Sequence, residues 1–301
     1  MSTPYIPGKL SREYHRLARV IREDVDREVD RLFQEQTGLT RKLNPTGSAD
    51  LELRRTWLRL RDQVMGKLDE LLDEKIEQDK RDGVLQEIPY EMRWHKWEQG
   101  AKLLETWFER PIAIAPKYSA PVTDVIRMDW VLTFARAKDV YDKIFADRVW
   151  TNDASTKRMA AILPVPTGSG TFLIGDLSKP VTVVDEKWIN ARPVKNGWEQ
   201  DGMAAALANF NFHIAIAGKT QRLNALEYAV TVEEVGVYVK DSFDFEGDQF
   251  LGWWGYNDSL IYNADFREWR NRNNAGGDFL VYSDVRRTRL AKPDVVTVKV
   301  P

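Results

Sequence analysis

The sequence predicts an α+β protein, with an N-terminal helical hairpin and further helices followed by a mostly antiparallel β-sheet or barrel. Three observations carry this. Apolar residues step by three and four through the first third of the chain. The pattern changes at Pro164, after which β-branched and aromatic runs alternate. Those strand-like runs follow one another mostly without intervening helices, as antiparallel sheets do. The expected divisions are residues 1–85 (a coiled-coil-like hairpin), 86–163 (the helical part of the main domain) and 164–301 (its β-rich part).

In residues 10–36, Leu10, Tyr14, Leu17, Ile21, Val25, Val29 and Leu32 mark one helical face, with Ser11 as its cap and Thr37-Gly38 as its stop. In residues 51–77, Leu53, Trp57, Leu60, Val64, Leu68, Leu72 and Ile76 mark another. The link LTRKLNPTGSAD is loop chemistry, so the two helices should pack antiparallel. Residues 1–82 hold 17 Lys/Arg and 17 Asp/Glu, interleaved as on a solvated helical surface. The hairpin either packs on its own body or protrudes to grip a protein partner or a second copy.

A new helix is expected from Gln86, with Pro89 in its first turn, through Met92, Trp97, Leu104 and Trp107 to Arg110-Pro111. A Pro-containing loop, PIAIAPKYSAPVTD, follows. MDWVLTFARAKDVYDKIF reads as one helix, and residues 155–163 as a short one. Beyond the PVPTGSG junction, TFLIGDL, VTVVDEKWI, NFNFHIAIA, EYAVTVEEVGVYVKDSF, FLGWWGY, DFLVYSD and VVTVKV read as strands, the fourth broken near Glu234. NFNFHIAIA places Phe210, Phe212, Ile214 and Ile216 on one face, and Asn209, Asn211 and His213 on the polar one. NADFREWRNRN is a short helix capped by Asn263, with Phe266, Trp269 and Arg270 on one side.

Composition narrows the chemistry. The 301 residues carry a net charge of -2, with no strong field to recruit nucleic acid or an anionic membrane. There are no cysteines, which excludes disulfides and thiolate chemistry. His15, His95 and His213 are scattered, so no metal centre is expected. No run has the length of a signal peptide or a spanning helix. The expectation is synthesis in the cytoplasm, with any export through a system that needs no cleaved signal. No cofactor motif is present: Thr167-Gly168-Ser169-Gly170 precedes a strand rather than a helix and reads as a hinge.

Asp241, Asp244, Glu246 and Asp248 surround Gly247 but lack the spacing of a calcium loop, so a Gly-bent turn is the better reading. Of the adjacent Trp253 and Trp254, one indole should enter the core and the other face outward or into a cleft. The catalytic candidates are Asp241, Asp244, Asp265, Asp278 and Asp284, near strand ends where carboxylates could converge, with His213 as a possible base. The partner-binding candidates are Trp254, Arg267, Trp269, Arg270 and Arg272, through guanidinium and aromatic contacts. Salt bridges to nearby acids are the competing reading of those arginines. Gly276-Gly277 fits a tight reversal pinned by Asp278.

The segments IPYEMRWHKWEQGAKLLETWF, VGVYVKDSFDFEGDQFLGWWG and DFREWRNRNNAGGDFLVYSDV, with MDWVLTFARA, resemble an uncharacterised bacterial domain-of-unknown-function family. Its members sit near genes for type VI secretion and interbacterial competition. The resemblance covers residues 86–290 and leaves the hairpin as an attached module. It implies a setting of bacterial competition and no particular catalytic residue. The expected function is a non-enzymatic interaction protein: delivered cargo, toxin component or adaptor. The alternatives are an antibacterial hydrolase using the clustered aspartates and an immunity factor.

Overall fold

The computed structural model describes residues 16, 19–28, 30–32, 34–35, 48–112, 115–165, 170–197, 199–255 and 259–300. The expected cap at Ser11, the stop at Thr37-Gly38, most of the link between the first two helices and residues 166–169 of the 164–170 junction lie outside them. The chain divides into two compact units, residues 1–87 and 88–301.

The first unit is the helical hairpin. Helix α1 is helical at residues 19–28, 30–32 and 34–35, and α2 runs from Ser48 to Trp94. Arg22 pairs with Asp69, and Arg61 lies 3.8 Å from Asp26. Residue numbers rise on one helix as they fall on the other, so the two are antiparallel, as the short link requires.

Helix α2 does not stop for a new start at Gln86. It continues through Pro89, which lacks the N–H for the usual bond and costs about 3 kcal/mol inside a helix. Ile88, Pro89 and Met92 are all buried, and that burial offsets the penalty. The break expected at 86 falls instead at His95–Trp97, where Lys96 adopts a left-handed backbone. Trp97 then stands before α3 (Glu98–Glu109), stacked on His95 with ring centres 4.9 Å apart. A 3-10 turn (Pro116–Tyr118) follows, and part of the expected loop is a strand, β1 (Val122–Ile126). The helix expected from Met128 is two: α4 (Met128–Val131) and α5 (Ala135–Ala146). The Asp284 carboxylate accepts the Met128 N–H at 2.8 Å and fixes where α4 begins. A second 3-10 turn (Val149–Thr151) leads to α6 (Asp153–Ile162).

The β-rich part contains β2 (Thr171–Ile174), α7 (Val181–Asp185), β3 (Asn190–Val194), α8 (Gly202–Leu207), β4 (Phe210–Arg222), β5 (Glu227–Phe243), β6 (Phe250–Trp254), β7 (Ser259–Tyr262), α9 (Asn263–Asn273), β8 (Phe279–Ser283) and β9 (Arg286–Lys299). The expected strand VTVVDEKWI is thus mostly helix. Val181, Val184 and Asp185 are its buried positions, a helical spacing that tertiary packing imposes on β-branched residues. Helix α8 went unread in the sequence; Asp201 caps it by accepting the Met203 and Ala204 N–H groups at 3.1 and 2.9 Å.

Seven strands form one mixed, mostly antiparallel sheet; its order is β1-β8-β5-β4-β2, with β3 also on β4 and β9 also on β5. No closed barrel forms among the described residues. Among the described residues, only β1–β8 is parallel. The spine is the β4–β5 hairpin. On the outer side of β4, β3 pairs with one half and β2 with the other; β8 and β9 divide the outer side of β5 in the same way. The break expected near Glu234 is a bulge. Val232 and Glu234 pair across both neighbours while Glu233 is passed over, so the strand kinks and continues. The sheet is covered on both faces, which buries His213 together with Phe212 and Ile214.

Candidate interaction site

The stretch from Asp241 to Ser259 is a strand end, a turn and a strand. The strand after the turn, however, pairs not with β5 but with β7, as a separate two-stranded ribbon. Opposite residues are Phe250 and Tyr262, and Trp253 and Leu260. All four are exposed. Phe250 lies 6.1 Å from Trp253 and 5.3 Å from Tyr262 between ring centres, so the rings form one continuous aromatic face. The other face is buried: Ile261 is inaccessible, and Trp254 meets Trp97 edge-on at 6.3 Å. Trp253 is 59% exposed and Trp254 9%. The outward role assigned to Trp254 therefore belongs to Trp253. Trp254 anchors the ribbon, its indole N–H donating to the Leu251 carbonyl at 3.1 Å. The Gly255 N–H donates to the Glu91 carboxylate at 2.8 Å and fastens the ribbon's end.

The acidic turn before the ribbon is held by an arginine. Arg267 donates to the carbonyl of Phe245 at 2.7 Å and to that of Gly247, and pairs with Asp248 at 3.2 Å. Its guanidinium occupies oxygens that a calcium loop would offer to the ion. Gly247 bends the turn with a φ of 73°. The expected cap Asn263 instead lies inside α9 and donates to the Glu246 carbonyl at 2.5 Å. The start of α9 is fixed by Asp265, which accepts the Tyr262 N–H at 2.8 Å. Asp265 is thus a capping residue.

Trp269 and Arg270 face inward rather than toward a partner. Trp269 packs on Phe108 with ring centres 4.7 Å apart, and Arg270 pairs with Asp278. Asp278 also accepts the Trp107 indole N–H at 2.8 Å. Arg272 lies 3.5 Å from Glu268, one helical turn away. The diglycine before Asp278 caps α3: the Gly276 and Gly277 N–H groups donate to the Arg110 and Trp107 carbonyls at 2.9 and 3.1 Å. Gly276 has a φ of 91°, and a Cβ there would come within 2.5 Å of the Trp107 ring. A glycine is required for both reasons.

The five aspartates do not share one pocket. Asp278 and Asp284 bracket β8, roughly 20 Å apart along an extended strand. Asp284 caps α4 and lines a shallow groove of about 580 Å³ with Lys179, Ser283 and Arg287. Asp244 lies near enough to both Asp241 and Asp278 for its charge to act on each. Burial pushes the Asp241 carboxyl well above the usual carboxylate range; the Ser242 N–H opposes this and the Asp244 charge adds to it. Burial also raises Asp278 against the lowering effects of Trp107 and Arg270, and Asp244 raises it further.

His213 belongs to a different centre, built around Asp185, a residue the sequence pattern did not single out. The Asp185 carboxylate accepts from Lys240 at 2.6 Å, Tyr238 at 2.7 Å and Tyr282 at 3.1 Å, with His213 Nδ1 also at 3.1 Å. Burial alone would raise its pKa. The His213, Lys240 and Tyr238 hydrogen bonds and the Lys240 charge outweigh that and hold it well below the usual range. Burial first, and the Asp185 charge second, push both tyrosines up, so they remain donors. Trp188 covers His213 with ring centres 4.8 Å apart, and the Arg158 guanidinium lies 3.4 Å from the Trp188 ring centre. His213 is therefore a buried, hydrogen-bonded member of a closed network and not an exposed polar-face residue. The one sequence signal was the alternation that puts Tyr238 and Lys240 on the same side of β5.

No group of three or more His, Asp or Glu suited to holding a metal occurs among the described residues. No helix among them is long and apolar enough to cross a membrane. The molecule is thus an α+β protein with a long antiparallel spine, two buried polar centres and an outlying aromatic ribbon. Its chain belongs to DUF6402, a family of unknown function, whose family model matches residues 84–261 and 258–298. The match takes in the sheet, the ribbon and both polar centres, and leaves α1 and most of α2 outside it. No curated protein and no solved structure matches the chain.

Proposed function

We propose that this is a non-enzymatic interaction protein whose family-matched body presents the β6–β7 ribbon to a protein partner. The observation that carries the reading is the aromatic face of Phe250, Trp253, Leu260 and Tyr262, exposed on one side of a ribbon anchored on the other. Exposed aromatics clustered on a fixed support are the usual anchors of protein recognition. The groups nominated for chemistry support it too, since Asp265, Asp284 and His213 each hold structure. The setting, a bacterial secretion or competition system with this protein as cargo, toxin component or adaptor, rests on the resemblance of residues 88–108, 235–255 and 265–285.

The test places a photo-crosslinking amino acid at Trp253 in the native host, identifies the captured protein and reconstitutes the pair from purified components. Trp253→Ala should then weaken binding at least tenfold, a loss of about 1.4 kcal/mol or more. Capture no greater than from a control position at the exposed Val295 would count against the reading.

A second reading, an aspartate-dependent hydrolase, is favoured by the raised Asp241 and Asp278 with Asp244 beside them. It requires growth arrest on expression that Asp241→Asn relieves; harmless expression in both the cytoplasm and the periplasm rejects it.

A further inference from the structure

Helix α2 carries more apolar surface than α1 covers. At about 100° per residue, Leu60, Val64 and Leu71 fall within an arc of about 40°. They are 47%, 50% and 47% exposed. The buried stripe, Leu72 and Ile76, lies about 100° further round the same helix. Leu68, between the two arcs, is partly covered. A two-helix hairpin buries one stripe per helix, so a second stripe on α2 calls for another helix.

The charges point to which helix. Residues 48–63 hold four arginines against three acids, whereas residues 64–82 hold seven acids against four bases. Laid antiparallel on a second α2, the basic half of each faces the acidic half of the other. Laid parallel, acid faces acid. Antiparallel alignment also opposes the helix dipoles, and a two-fold axis between residues 67 and 68 sets Val64 opposite the other copy's Leu71 in both directions.

We infer that the exposed stripe Leu60-Val64-Leu71 is a self-association surface, on which α2 of a second copy packs antiparallel so that two hairpins make a four-helix bundle. This rests on the arm alone and stands or falls separately from the ribbon.

The full chain suits the experiment because it has no cysteine. Light scattering after size exclusion, across the micromolar range, should give twice the 34.8 kDa chain mass. The combined change Leu60→Lys, Val64→Lys and Leu71→Lys should halve that mass. Oxidation of a mixture of Val64→Cys and Leu71→Cys chains should give the mixed disulfide in excess over either symmetric one. The cross-link decides the matter if the triple variant loses helicity by circular dichroism. A wild-type monomer at every concentration overturns the inference, leaving the stripe to a different protein. So does a dimer that a folded triple variant leaves intact, or a preference for the Val64–Val64 disulfide, which marks parallel packing.

Discussion

The indole N–H of Trp107 donates to the carboxylate of Asp278 at 2.8 Å, across 171 positions of sequence. Arg270 pairs with the same carboxylate. The arrangement recurs: Trp150 donates to Asp294 at 2.8 Å, and Arg148 pairs with it. In each, a buried carboxylate holds an indole and a guanidinium; in the first these come from separate helices, in the second from one turn, two positions apart.

Asp278→Ala should leave both the Trp107 indole N–H and the nearly buried Arg270 guanidinium without their acceptor. A loss of about 3 kcal/mol is expected, because breaking one half of a buried pair strands the other. Urea denaturation measures it. A change below about 0.5 kcal/mol, the range of ordinary surface substitutions, would mean the pair is not structural.

Asp185 ties stability to its own ionisation more strongly than an ordinary surface carboxylate does. Its folded pKa is lowered, so the unfolded chain binds the proton more readily. Its stabilisation is complete above about pH 4, the ordinary value, and is lost as the pH falls below that toward the folded value. Asp185→Asn should cost about 3–5 kcal/mol at neutral pH. The gap from wild type should narrow in acid. A gap that stays constant from neutral pH down to acid unfolding would show that ionisation at Asp185 contributes nothing.

Asp241 has the reverse sign. Its folded pKa is raised, so stability falls as the pH climbs from about 4 through the folded value. Asp241→Asn removes that loss. The variant should match the wild type in acid and exceed it at neutral pH, as read from thermal melting against pH. Equal destabilisation at all pH values would contradict the assignment.

The neighbouring tryptophans of the ribbon separate anchoring from display. Trp254→Ala should cost about 3 kcal/mol, as for a buried aromatic truncated to alanine. Trp253→Ala should stay within about 0.5 kcal/mol. Denaturation of the two variants side by side checks this, and similar losses would show that both indoles are packed.

The long periodic elements were legible in the sequence because periodicity reports burial. The helix read over residues 51–77, the strand read at Phe210–Ile216 and the run from Glu227 to Phe243 are all found in the structure, but Leu60 and Val64 of the helical stripe are half-exposed and His213 of the polar strand face is buried. Where the period was short, tertiary contacts decided. Three valines and an aspartate in α7 read as a strand, yet the helix is held by packing on β4 and β8. His213 was visible as a lone histidine, but its partner was not, because Asp185 lies on a helix mistaken for a strand. The aromatic face was half-legible. The Trp-Trp dipeptide guaranteed that one ring points out, whereas Tyr262 and Phe250 joined it only through the β6–β7 register.

The spine also sets an order of assembly. Strands β4 and β5 are joined by the four residues 223–226, whereas β1 must find β8 across roughly 150 residues of intervening chain. Closing the short loop costs far less entropy than closing the long one, so the hairpin forms early and the parallel pair late. Pulse-labelling hydrogen exchange should protect amides of 228–240 before those of 122–126. The rest of the sheet then docks along a template already in place, and the β1–β8 seam is the last to close.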